Sequence, residues 1–173
     1  MSTLSVDTIQ GKTTAGTVAM PSGMTVQTVY NNYTTQTVIS NSGSSPVGPN
    51  TFFDTGLTCS ITPKFSTSKI YVLLSQQLRM NDSSGYAETG VGYKFFRDST
   101  AIYTTNTNYA TYIYHNDTAE QDWRGWQTLV VLDSPSSTSS LTYKVQLAKY
   151  GDGYLSAQDN SNQSSLTLME IKQ

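Results

Sequence analysis

Residues 56–79 read Gly-Leu-Thr-Cys-Ser-Ile-Thr-Pro-Lys-Phe-Ser-Thr-Ser-Lys-Ile-Tyr-Val-Leu-Leu-Ser-Gln-Gln-Leu-Arg. Leu57, Cys59 and Ile61 alternate with Thr58, Ser60 and Thr62, the period-2 pattern of a strand with one buried face. Pro63 ends it, because proline has no N–H to give to a ladder. After the polar loop 64–69, Ile70-Tyr71-Val72-Leu73-Leu74 is an unbroken apolar run, β-branched and aromatic at its start. Its shortness and Ser-rich flanks favour a strand over a buried helix. A strand of this kind suits a central position covered on both faces.

The rest of the chain repeats these signals. Residues 25–30 and 35–40 read as strands about an Asn31-Asn32 turn, and 41–50 as a Ser/Gly/Pro loop. A short strand is expected at 51–55. Asn81-Asp82-Ser83-Ser84-Gly85 is a strong turn signal. Strands follow at 90–97 and 100–104, then a tyrosine-rich irregular stretch at 106–120. Residues 124–132 read as a buried strand. Residues 141–150 alternate Leu141, Tyr143, Val145 and Leu147 inward, and 151–153 form a turn. Residues 159–164 are a polar loop. The closing strand, 165–172, carries Leu166 and Leu168 on one face and Met169 and Ile171 on the other. Nine or ten short strands and no credible helix make the chain all-β, an antiparallel sandwich or barrel. A closing strand apolar on both faces is odd for a sheet with one wet side, so its second face is expected to meet another subunit. The 12 tyrosines fit that expectation, since tyrosine joins apolar area to a polar tip.

Composition narrows the function classes. The chain has 173 residues, enough to bury a core without staples. Charged residues are 13%, about half the usual share. A formal net charge of −2 gives no electrostatic reason to bind nucleic acid or an anionic membrane. Cys59 is the single cysteine, so no intrachain disulfide forms, and an inward position makes it a small buried hydrophobe. Neither a membrane-spanning run nor a secretory signal is apparent, and membrane insertion is not expected.

The first residues differ from the rest. Leu4, Val6 and Ile9 alternate loosely before a Gly/Thr-rich stretch and Pro21-Ser22-Gly23. The division expected is residues 1–24 as an N-terminal attachment or trimerisation arm and 25–173 as the head domain.

Candidate sites are few. His115 is the only histidine and has no nucleophile-elbow motif to serve. One His and one Cys far apart do not make a zinc site. Asp159, Ser161, Gln163 and Glu170 match calcium-loop positions, but the sixth-position glycine is missing and the second half is a strand. Asp117, Glu120 and Asp122 could serve a glycan hydrolase, yet nothing in the sequence sets their separation. Neither catalysis nor a metal or cofactor is therefore expected. Four Asn-X-Ser/Thr matches, at Asn32, Asn81, Asn116 and Asn162, arise from composition. The stretch most informative for binding holds Tyr103, Tyr109, Tyr112, Tyr114, His115, Trp123 and Trp126, of which Tyr109, Tyr112, Tyr114, His115 and Trp123 are the ligand candidates, since such rings could stack on sugars while Asn and Asp bond hydroxyls. The alternative reading packs Tyr112 and Tyr114 in a subunit interface and Trp126 in the core.

Met1 to Gly23 also resembles the N-terminus of fibre and appendage proteins of marine bacteriophages, of the cyanophage and pelagiphage kind. Residues 53–69, Leu132-Asp133-Ser134-Pro135, Thr142-Tyr143-Lys144-Val145-Gln146 and Leu166-Thr167-Leu168-Met169-Glu170-Ile171 resemble their head domain. The order and spacing of these motifs carry the likeness across nearly the full chain, except residues 103–126. The resemblance implies a homotrimeric jelly-roll β-sandwich, similar to tumour-necrosis-factor-like heads, on a virion. It also implies partners: other virion proteins through the arm, and a host surface glycan or protein at the head. A capsid or collar decoration without receptor binding, or a small carbohydrate-binding module, would use the same domain.

Overall fold

The computed structural model describes residues 21–40, 51–82, 88–105, 110–114, 120–151 and 153–173. The arm residues Leu4, Val6 and Ile9 lie outside them. Eleven strands follow in order: β1 (Thr25–Tyr33), β2 (Thr37–Ser40), β3 (Phe53–Ile61), β4 (Lys69–Asp82), β5 (Glu88–Arg97), β6 (Thr100–Thr104), β7 (Thr111–Tyr114), β8 (Gln121–Asp133), β9 (Leu141–Gly151), β10 (Tyr154–Ala157) and β11 (Ser164–Ile171). A single 3-10 turn at Asp159–Ser161 is the only helical element among the described residues.

The strands build two antiparallel sheets. Sheet A centres on β4. Its one side pairs with β8 over the whole length, Ile70↔Asp133 to Asp82↔Gln121. Its other side pairs first with β11 (Lys69↔Ile171 to Ser75↔Ser165) and then with β10 (Leu78↔Ala157 to Asn81↔Tyr154). β1 lies outside β11, and β2 outside β10. Sheet B runs β3, β9, β5, with β6 and β7 sharing the far side of β5. Counting collinear strands as one row gives β1/β2–β10/β11–β4–β8 facing β3–β9–β5–β6/β7. Successive rows of the chain alternate between the sheets, except that β6/β7 follows β5 within sheet B, and this is the jelly-roll order. The fold class is thus the sandwich expected from the alternation.

The core lies between the sheets. Leu57, Cys59 and Ile61 of β3, Tyr93 and Phe95 of β5, and Tyr143 and Val145 of β9 face Ile70, Val72 and Leu74 of β4 and Leu166 and Leu168 of β11, all buried. Cys59 is a buried free thiol in this cluster, its pKa raised by burial. Each sheet contributes every second residue, as a two-layer fold requires.

The structure revises several boundaries. β1 runs through Asn31-Asn32 to Tyr33, because the strand stays paired with β11 as far as Ser164. The two strands expected at 51–55 and 57–61 are one, β3, with a bulge between Asp54 and Thr58. Gly56 sits there at φ +82, and a Cβ on it would lie 2.5 Å from the Tyr33 ring. β7 emerges inside the stretch read as irregular, and β10 was not anticipated. The strand read as buried, β8, is an edge strand that alternates half-buried and exposed residues along most of its length. Trp126, placed in the core by the alternative packing reading, is 56% exposed. Trp123 instead faces inward and packs against the core. Gly125 makes room for it, since a Cβ there would lie 2.6 Å from the indole.

Buried polar side chains tie the layers. Glu170 accepts from the Lys64 and Phe65 backbone N–H groups, Ser68 Oγ and Gln27 Nε2. Burial alone would raise its pKa, but these four donors outweigh it and hold the carboxyl below its usual range. Asp133 of β8 has both oxygens 2.8 Å from Arg97 Nη1 of β5 and accepts a 2.7 Å bond from the Tyr143 hydroxyl of β9. That clasp links the two sheets at the end where Arg97 and Asp133 lie.

Candidate functional site

The sandwich has two distinct ends. At one, Gly23 N–H donates to the Lys172 carbonyl and Lys172 N–H to the Met24 carbonyl, so the N-terminal segment enters beside the end of β11. The Arg97–Asp133 clasp marks this same end. At the other lie the starts of β5 and β8, the end of β9 and all of β7.

The distal end carries the aromatic candidates. Tyr112 and Tyr114 share the exposed face of β7, with Tyr114 62% exposed. Gly90 of β5 is the register partner of Tyr112 on one side and Tyr150 on the other. With no side chain between them, the two rings approach to 6.1 Å at 57°. Loss of hydration, then a hydrogen bond to Glu88, push the Tyr112 hydroxyl up to about 12. Tyr112 therefore stays neutral and presents aromatic area with the Glu88 carboxylate beside it. Tyr109 and His115 lie outside the described residues. Trp123 is not brought to this surface, because odd-numbered residues of β8 face inward. Of the ligand set expected from sequence, the described residues place Tyr112 and Tyr114 at this end.

The described acidic candidates are hydrogen-bonded. Asp122 accepts from Arg79 Nε and Nη2 at 3.0 Å and from Arg124 Nη1 at 2.7 Å. The Arg79 hydrogen bond is the largest cause holding its carboxyl below the usual range. Arg124 Nε continues to buried Asp159 at 2.9 Å, and Arg79 stacks 5.1 Å from the Tyr154 ring. Glu120 accepts from Asn81 Nδ2, and Asp117 lies outside the described residues. Carboxylates bound to guanidinium groups are poor general acids at neutral pH. Asp159 and Glu170, the ends of the calcium-loop match, lie in two different donor sets, so the match is one of sequence alone.

The exposed face of sheet A extends beyond the apolar run of β4 and the closing strand onto β8. Leu132, Val130 and Trp126 project outward from β8, at 55%, 48% and 56% exposure. Their register partners on β4 are Tyr71, Leu73 and Gln77, and Met169 of β11 pairs with Tyr71. Tyr30 of β1 is also exposed, and Gln163 ties it to Trp126: the indole N–H donates to the Gln163 carbonyl while Gln163 Nε2 donates to the Tyr30 hydroxyl. The face is a continuous apolar stripe near the N-terminal end and an ion-paired cluster toward the distal end.

No protein-family model matches the chain, and no curated protein matches it. Among solved structures it is similar to infectious bursal disease virus Gx strain, at 13% identity and TM-score 0.40, covering 86% of this chain and 33% of that chain. It is also similar to the Gt strain of that virus, at 12% identity and TM-score 0.39, covering 100% of this chain and 43% of the other. A crystal structure of the VP2 subviral particle of the same virus aligns at 11% identity and TM-score 0.38, over 97% of this chain and 43% of that one. The chain thus spans less than half the length of each of these three.

Proposed function

We propose that this protein is a non-enzymatic structural component of a phage virion. In this reading it is a homotrimeric appendage whose distal end contacts the host surface. The observation that carries the proposal is the outer face of sheet A. Tyr71, Leu73, Val130, Leu132 and Met169 form an apolar stripe on a sheet whose other side already packs the core. A stripe of this kind suits burial against further copies of the chain. The resemblance to marine phage appendage proteins supplies the virion. The two-ended architecture supports the rest: the arm with Leu4, Val6 and Ile9 leaves from one end to join copies and other virion proteins, while Tyr112 and Tyr114 occupy the opposite end. Three copies would present three such ends, so weak single contacts would sum.

Immunogold labelling of intact particles tests the reading. Gold on tail fibres or the tail tip supports host adsorption. Gold spread over the head makes the protein a capsid or collar decoration, and particles without gold overturn the virion assignment. On tail-located protein, Tyr112→Ala with Tyr114→Ala should lower adsorption at least tenfold with an unchanged melting temperature. Unchanged adsorption would remove the tyrosines from the contact.

A further inference from the structure

The four open sheet edges of the sandwich are not alike. The β1/β2 edge is split into two strands, with register shifts in both pairings. The β3 edge is bulged at Gly56, and its outward carbonyls are capped from sheet A: Thr37 Oγ1 donates to Thr55 O, Asn31 Nδ2 to Thr58 O and Gln27 Nε2 to Thr62 O. The β6/β7 edge is also split. β8 differs from all three. It pairs with β4 through 13 successive positions with no shift, and among the described residues no hydrogen bond reaches its other side. From residue 125 to residue 132 it reads Gly-Trp-Gln-Thr-Leu-Val-Val-Leu, without charge or proline. A long, regular, uncharged edge is a template for another strand, and folded proteins normally guard or cover it.

We infer that this edge accepts residues 2–10 of a neighbouring copy as an added strand. The inference rests on the self-association proposed above and names how the arm takes part in it. Residues 1–20 enter at Pro21, at the same end of sheet A where β8 finishes at Asp133. Residues 2–10 contain no proline or glycine and place Leu4 and Val6 on one side. As a strand they would span roughly 30 Å, enough for the uncharged run of β8, which extends about 26 Å. Residues 11–20, fully extended, reach up to about 36 Å, more than the roughly 15 Å that separates the β1 and β8 rows. With the apolar stripe of sheet A held against another copy, the neighbour's β8 edge comes within reach of the arm and receives the strand. Main-chain pairing would supply the affinity, and Leu4 and Val6 would add apolar contact at the interface.

Single cysteines at Ser5, Val6 or Asp7, each combined with Thr128→Cys in a Cys59→Ser background of the full chain, test the pairing. Mild oxidation should give covalent dimers and trimers for at least one of the three positions. A crosslink confined within one chain, or none at any position, would overturn the inference. Hydrogen exchange of the full chain supplies a second reading. Leu4→Asp with Val6→Asp should speed exchange of the amides of 125–132 at least tenfold, and unchanged exchange would also overturn it. Mass measurement separates the two proposals: trimers without crosslinks sink the strand donation alone, whereas a monomer at all concentrations sinks the association on which it rests.

Discussion

The two outer faces of the sandwich come from antiparallel strands of the same in-and-out alternation, yet they differ in kind. On sheet B the outward side chains include Thr58, Ser60, Thr142, Lys144 and Gln146, with Asp54 accepting from Lys144 and Gln146. Lys94 and Lys144 each lie within 5.5 Å of the Phe96 ring centre, so an outward aromatic is shielded by cations. On sheet A the outward positions of β4, β8 and β11 are apolar over the half nearest the N-terminal end. A face that only meets water needs neither Val130 nor Leu132. The difference teaches that alternation tells which residues share a face, while the residue types on the second face tell whether that face ends in solvent.

The comparison breaks most decisively at its centre. Leu73→Asp with Val130→Asp should reduce the protein to monomers, weakening association at least 100-fold, or about 3 kcal/mol. Sedimentation velocity would measure it. Ser60→Asp with Thr142→Asp on sheet B should leave the sedimentation unchanged, and equal behaviour of the two variants would erase the distinction between the faces.

Next comes the seam where the sheets meet at β3. Gly56→Ala must place a side chain at positive φ and against the Tyr33 ring. A loss of about 1–3 kcal/mol in unfolding free energy is expected from such strain, read by urea denaturation. No loss would mean that β3 and β1 are less tightly apposed than the structure has them.

Acid should cost more stability on the inner side of sheet A than on the outer. Glu170 has a depressed pKa, so its stabilisation is complete above the unfolded carboxylate value of ~4.3 and is lost as pH falls through the lower folded value. Asp122 follows the same sign on the outer face, but it is partly exposed and contributes less. Glu170→Gln should therefore lower stability at pH 7 by about 1–3 kcal/mol and flatten the fall below pH 4.5, as thermal melts across pH would record. A parallel fall in variant and parent would remove Glu170 as its source.

The smallest effect belongs to the sheet B surface. Lys144→Ala removes an exposed ion pair with Asp54 and should change stability by no more than about 1 kcal/mol. A larger loss by calorimetry would mean that this face is less solvated than its side chains suggest.

Much of the fold was legible locally. Leu57, Cys59 and Ile61, and later Leu141, Tyr143, Val145 and Leu147, announce their faces by spacing alone, because a strand turns each successive side chain over. The two-faced closing strand was equally plain in Leu166, Leu168, Met169 and Ile171. The site was less so. Trp123 and Trp126 differ by one odd step in the same strand, and their neighbours, Arg124 and Gly125, give no local sign of which ring enters the core.

What the sequence determined by itself is the set of strands, their inward residues and an apolar surplus on the outer side of β4 and β11. What only the tertiary structure decided is that β8 lies at an edge, that β10 and β11 run end to end along β4, and that Asp159 and Glu170 have separate partners. Those outcomes depend on pairings between residues as distant as Arg79 and Asp122, or Gln27 and Glu170. Periodicity is a property of neighbouring residues on one strand, so it carries no record of which strand lies alongside.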